Sequence, residues 1–346
     1  MRINQHEPLS PSERQLTWTP AHCLEQLLEQ GHSVVTTVRS EDKAQKIRDT
    51  YKDQADRLEV VVVSDIAKED AFDEVVKTSG LEAVLHTASP FHFKWTEPET
   101  ELITPAVVGT TGILRAIKRS APAVRRVVIT SSFASILDES KLLDPAHTFT
   151  EASWNPSTRA DIHNSPATAY RVSKKLAERS AWDFVRDEAP GFDLVTVCPP
   201  LVLGPVAHHL PSLDAINESN ARVVSLLRGG WKAGIPSQGP VAIWVDVRDV
   251  ARAHVRAMQD PDLGGRRLFT TPGYFSNREI ADVVRANFPE YADRLPGPEV
   301  QGGERPQPDK TFRWDVSATD KLLGLDWIPF DKSITDLVTS LKAYGI

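Results

Sequence analysis

The sequence predicts an α/β protein: a doubly wound parallel sheet followed by a smaller C-terminal lobe. The first observation behind this is the alternation of helical and strand patterns over residues 20–200, at the spacing of repeated βαβ units. The second is the texture of the strands. SVVTTVR (33–39), LEVVVV (58–63), AVLHTA (83–88), RRVVIT (125–130) and FDLVTVC (192–198) are nearly continuous in apolar or β-branched residues. Strands covered by helices on both faces read this way. The third is a change beyond residue 200, where prolines and glycines interrupt residues 205–240 and short strands, loops and helices mix over 265–346.

The elements follow in order. Thr19-Pro20 reads as a helix cap with proline at the first helical position. Ala21, Leu24, Leu27 and Leu28 form one apolar face, and Gly31 ends the helix as a left-handed cap. Ser40 is expected to cap EDKAQKIRDTY. Further helices are expected over roughly 68–79, 98–119 and 168–188. VAIWVDVRDVARAHVRAM (241–258) reads as a strand feeding a helix, and DKSITDLVTSLKAYG as a terminal helix. Residues 1–204 with 241–260 are assigned to the main domain, residues 1–19 being atypical. Residues 205–240 with 261–346 are assigned to the smaller lobe.

Bulk properties narrow the function. The chain has 346 residues and a formal net charge of −7, which argues against nucleic acid or an anionic membrane as partner. VVVV at 60–63 is strand-sized, and no apolar run approaches a membrane span. The polar opening MRINQHEPLSPSER does not read as a secretory signal. Cys23 and Cys198 are the two cysteines, too few for a disulfide scaffold. A cytoplasmic monomer or homodimer is expected. The ten histidines show no metal-binding spacing; His208-His209 are read as loop residues.

The chemistry concentrates in AYRVSKKLAER. Tyr170 and Lys174, four apart, project from one helix face. An ammonium beside a phenol favours the phenolate, and a tyrosine so tuned can exchange a proton with a carbonyl oxygen. Alone, the pair is a weak signal and more often a chance feature of a surface helix. VVITSSFAS (127–135) adds serines at the C-terminal end of a core strand, where open α/β sheets bind ligands. Ser132 there can hydrogen-bond the oxygen that Tyr170 protonates, or can simply bond its own turn.

EQLLEQGHSVVTTVRS (25–40), VLHTASPF (84–91), VVITSS (127–132), YRVSKKLAE (170–178), VCPPLVLGP (197–205) and WVDVRDVARAHV (244–255) together resemble one family. It is the extended short-chain dehydrogenases/reductases, within the NAD(P)-dependent epimerase/dehydratase group. The dihydroflavonol-4-reductase-like branch, with fungal ketone and aldehyde reductases, is the most similar, and YFSNREIADVV (274–284) resembles its substrate lobe. The resemblance implies a Rossmann-type fold and the catalytic set Ser132, Tyr170 and Lys174. Lys174 would also hold the nicotinamide ribose. It implies Arg39 against an adenosine 2′-phosphate, which favours NADP(H), with Lys43 as a second candidate there. Asp65 would contact the adenine, or serve only as a helix cap. Thr87, Ala88 and Pro199 would line the cofactor. It further implies reduction of a carbonyl, in a setting such as secondary metabolism. Phe91, Phe93, Phe133, Leu137 and Trp231 either line a pocket for a small apolar or aromatic carbonyl substrate or pack in the core.

One part of the pattern is missing. Family members open with a strand and a G-x-x-G-x-x-G turn, whereas PSERQLTWTP (11–20) contains no glycine. The first strand and its turn are therefore read as degenerate, with QLTWT (15–19) the local substitute. Losing two or three charge-assisted bonds to the pyrophosphate corresponds to ~4–6 kcal/mol, about a thousandfold or more in affinity. Either these residues reflect an alternative or wrongly assigned start, or the protein is a relative with impaired cofactor binding. A nucleotide-sugar epimerase or dehydratase and a non-catalytic binding protein are the alternatives to a reductase.

Overall fold

The computed structural model describes residues 19–88, 95–207, 210, 212–213 and 216–346. Helix α1 (Thr19–Glu29) ends at Gly31, whose φ of 86° is the left-handed turn expected of it. Strand β1 (Val34–Val38) and helix α2 (Glu41–Thr50) follow, then β2 (Leu58–Val62) and β3 (Ala83–His86). Ser40 stands at the start of α2 in extended backbone, but its side chain makes no capping bond. Next come α3 (Thr104–Ser120), β4 (Arg126–Thr130), the short β5 (Thr148–Phe149), α4 (Pro166–Glu188), β6 (Asp193–Cys198) and β7 (Leu201–Leu203). The remainder comprises α5 (Glu218–Leu227), β8 (Ile243–Asp246), α6 (Val247–Gln259), β9 (Arg267–Phe269), β10 (Gly273–Tyr274), α7 (Asn277–Asn287), β11 (Arg313–Trp314), α8 (Ser317–Leu323) and α9 (Phe330–Lys342).

Four parallel strands, in the order β3-β4-β6-β9, form the largest sheet. Val128 is in register with Val195, and Thr130 with Val197. Because successive side chains alternate between faces, β4 feeds two cores. Val127 and Ile129 pack with Ile113, Leu114 and Ile117 of α3 and Ala181 of α4. Val128 packs on the opposite face with Val250, Ala253 and Ala257 of α6. The sheet is thus covered by helices on both sides, as the apolar strands predict.

The expected helix at 68–79 is instead a run of turns with one 3-10 turn at Val75–Lys77. Most of its bonds are of the tighter i→i+3 kind, among them Ala71 N–H to Lys68 O and Lys77 N–H to Glu74 O. The segment is short, and its β-branched pair Val75-Val76 resists α-helix. The helix expected at 98–119 opens with a π-helical turn, Glu99–Ile103. Pro105 in the following turn has no N–H to give Glu101, which favours the wider turn before it. Strand pairing also crosses the two regions assigned from sequence. Arg267–Phe269, assigned from sequence to the smaller lobe, pairs with β6 in the main sheet. Three residues are too few for a periodicity to reveal. Conversely β8, assigned to the main domain, pairs with β7 and β10 in a separate three-stranded sheet.

Strands β1 and β2 pair with each other but with no other strand among the described residues. Among the described residues the pairing is interrupted between β1 and β3, where a doubly wound sheet carries its first strand. Val34, Val35 and Thr36 of β1 and Ala83, Val84 and Leu85 of β3 are half-buried, and Val127, Val128 and Ile129 of β4 are buried. The segment 11–18, expected at this place, lies outside the described residues, as do Phe91, Phe93, His208 and His209.

Phe133, Leu137, Phe149, Phe269 and Phe312 form one buried aromatic cluster, and Phe133 stacks on Phe269 at 5.1 Å. Trp231 lies in a separate core with residues of α5, α7 and α9. Phe133, Leu137 and Trp231 are therefore packing residues. Phe269→Ala is expected to cost about 3–5 kcal/mol of stability, measured by urea unfolding with an unchanged denaturant slope.

Candidate active site

The site lies at the C-terminal ends of the parallel strands. Strand β4 ends at Thr130, and the chain turns through Ser131 and Ser132 into a 3-10 turn, Phe133–Ser135. The Ser132 hydroxyl accepts from Ala134 N–H at 3.1 Å, which leaves its own proton to donate elsewhere. Phe133 N–H donates to Pro199 O at 2.9 Å, so the segment after β6 is fixed beside it. Thr130 is held from below by His254 of α6, whose Nε2 lies 2.6 Å from its hydroxyl. The other ring nitrogen of His254 is 2.7 Å from Val250 O. Burial pushes this imidazole down to about 4, so it is neutral.

Helix α4 brings Tyr170 and Lys174 to the same edge. Ser165 caps it, accepting from Thr168 N–H at 3.0 Å, and Pro166 begins its first turn. Tyr170 is hydrogen-bonded to Ser132, and the Lys174 ammonium stands 5.9 Å from the centre of its ring. All three residues expected to be catalytic therefore converge.

The electrostatics differ from the sequence expectation. Burial pushes the Tyr170 phenol up to about 12, against the pull of its bond to Ser132. Burial pushes Lys174 down to about 8. Desolvation is the leading cause for both groups. At neutral pH the site thus holds a protonated phenol beside a charged amine, the pair that donates a proton rather than removes one. His86, at the end of β3, is held down to about 4 by burial and by the nearby Lys174 charge. Sequence reasoning did not single out His86, although it sits one residue before Thr87.

The remaining candidates are spread along the strand ends. Arg39 follows β1 and Lys43 lies in the first turn of α2; both are half-buried. Thr87 and Ala88 follow β3 beside His86 and are half-buried. Pro199 is buried after β6. Asp65 is exposed beyond β2 and accepts from Ala67 N–H at 2.9 Å, which is its turn-capping alternative. Arg39, Lys43 and Asp65 belong to the β1–β2 side of the break, and the others to the β3–β4–β6 side.

These residues fit a phosphorylated dinucleotide at its two ends. A guanidinium suits a phosphate, and a buried ammonium beside a phenol suits ribose hydroxyls. The middle fits less well: α1 begins with Pro20 in its first turn, which removes a donor from the helix end that would face a pyrophosphate.

The sequence model of the NAD-dependent epimerase/dehydratase family matches residues 20–269. The chain belongs to that family. A ketoreductase of Aspergillus niger, azaE, is 42% identical over 93% of this chain and 94% of its own. The NADPH-dependent methylglyoxal reductase GRE2 of Saccharomyces cerevisiae is 35% identical, over 93% and 95%. Among solved structures, Gre2 of Candida albicans in complex with NADPH superposes with a TM-score of 0.86 at 32% identity, covering 95% of this chain and 97% of that one. No helix of the described residues is long and apolar enough to cross a membrane.

With Lys174 near 8 and Tyr170 near 12, carbonyl reduction is expected to be flat below about pH 8 and to fall above it as the ammonium is lost. A pH profile of kcat/KM checks this. Lys174→Arg, whose charge persists, is expected to remove the alkaline fall at whatever rate it retains.

Proposed function

We propose that the protein is an NADPH-dependent reductase that converts a ketone or aldehyde to an alcohol. The observation that carries this reading is the Ser132–Tyr170 hydrogen bond with Lys174 alongside, at the strand edge where open α/β sheets bind ligands. The NADPH-dependent reductases among its relatives support the choice of cofactor and reaction.

NADPH supplies the hydride when bound. Ser132 orients the carbonyl oxygen through its hydroxyl, and Tyr170, protonated at neutral pH, donates the proton that the oxygen takes up. The Lys174 charge stabilises the phenolate left behind and holds ribose hydroxyls. Arg39 and Lys43 would hold the 2′-phosphate, and Thr87, Ala88 and Pro199 would line the dinucleotide. The substrate is a small carbonyl compound with an apolar or aromatic substituent.

The glycine-free segment at 11–20 favours a second reading, a relative with weakened cofactor affinity. NADPH consumption over a panel of ketones and aldehydes, beside an NADPH titration, separates the two. The reductase reading expects turnover with at least one carbonyl and a loss of about 10²–10⁴-fold in kcat for Tyr170→Phe. Arg39→Ala is expected to weaken NADPH by roughly ten- to a hundredfold and leave NADH unchanged. Measurable NADPH binding without turnover on any carbonyl would overturn it.

A further inference from the structure

One turn beyond Lys174 on the same stripe of α4, Glu178 is 1% exposed. A carboxylate at such depth needs donors on every side, and it has them. Ser131 Oγ donates at 2.5 Å and Thr196 Oγ1 at 2.8 Å. Ser135 Oγ also donates to it, and Trp182 Nε1 does so at 3.2 Å. Arg267 of β9 completes the shell with Nε at 2.7 Å. The guanidinium is itself fixed: it lies 3.7 Å from the centre of the Trp154 ring and donates to Glu151 O and, at 2.7 Å, to Ser153 O. Burial alone would raise the carboxyl pKa, but Arg267 and the hydroxyl donors hold it below the usual range, so it is charged.

The residues it grips bracket Ser132. Ser131 precedes it, and Ser135 Oγ also lies 2.8 Å from Ser132 O. Tyr170, on the opposite side of the contact, rides on the same helix as Glu178, two turns earlier. One carboxylate therefore fixes both ends of the Ser132–Tyr170 hydrogen bond.

We propose that Glu178, with Arg267, is a positioning residue for proton transfer: through Ser131 and Ser135 it sets the Ser132 hydroxyl against the Tyr170 phenol. The role rests on the reading of that pair as the proton-transfer site. Its geometric content stands on its own.

Two variants test it. Glu178→Met with Arg267→Met replaces the buried pair by apolar side chains of similar length, a change that proteins often tolerate. Ser131→Ala with Ser135→Ala cuts the link and leaves the ion pair in place. The readout is the Tyr170 resonance in protein labelled with ¹³C at the tyrosine ζ-carbon, assigned by its loss in Tyr170→Phe. In both variants it is expected to move to the position seen in Ser132→Ala. The kcat is expected to fall about tenfold, the worth of one hydrogen bond to developing charge, with NADPH affinity held within about threefold. A folded variant of either kind whose Tyr170 resonance stays at the parent position overturns the proposal. Absence of turnover in the parent protein would instead count against the reductase reading, and the resonance would still decide this one.

Discussion

The Glu178 carboxylate is charged and almost wholly enclosed, and much of the architecture around the site follows from satisfying it. Three hydroxyls, an indole N–H and a guanidinium converge on it from β4's end, β6, α4 and β9. The loop at 151–154 is drawn in as well, because Arg267 Nη1 donates to that loop's carbonyls. A buried ion pair of this kind adds little net stability over an apolar pair, yet removing one partner is costly. Its value lies in arrangement: helix α4 and the end of β4 cannot slide or rotate relative to each other without stranding a charge.

Above that anchor the site is a set of short side chains on rigid elements. Ser132 is held by its own turn, Tyr170 and Lys174 by a well-capped 23-residue helix, and Thr130 by a neutral, buried histidine. Desolvation then fixes the chemistry. It keeps the phenol protonated and makes the amine's charge sensitive to alkaline pH, which suits a site that gives a proton to a reduced carbonyl.

Much of this was legible in the sequence. The parallel strands and the helices on both faces follow from apolar runs separated by capped periodic segments, and Ser132, Tyr170 and Lys174 stand out through the resemblance of VVITSS and YRVSKKLAE to one family, their places on a strand end and a helix face alone leaving other readings open. What was not legible depends on three-dimensional neighbours. The sequence gives no hint that desolvation would govern Tyr170 and push its phenol up. Arg267 sits on a three-residue strand too short for any periodicity, so its pairing with Glu178 across 89 positions could not be read. Phe133, Leu137 and Trp231 have the composition of pocket residues, and only packing shows them to be core. The segment 68–79 carries a helix-like apolar spacing, but its length and its valine pair favour turns.

The central claim is that this site transfers hydride to a carbonyl carbon while Tyr170 supplies the proton. The most direct test is a single turnover with NADPH deuterated at its transferring position and a ketone drawn from the panel, followed by mass spectrometry and NMR of the alcohol. One deuterium at the carbinol carbon, absent when Tyr170→Phe is used over the same interval, is the predicted result. An alcohol without that deuterium, or no alcohol while the cofactor remains bound, would contradict it.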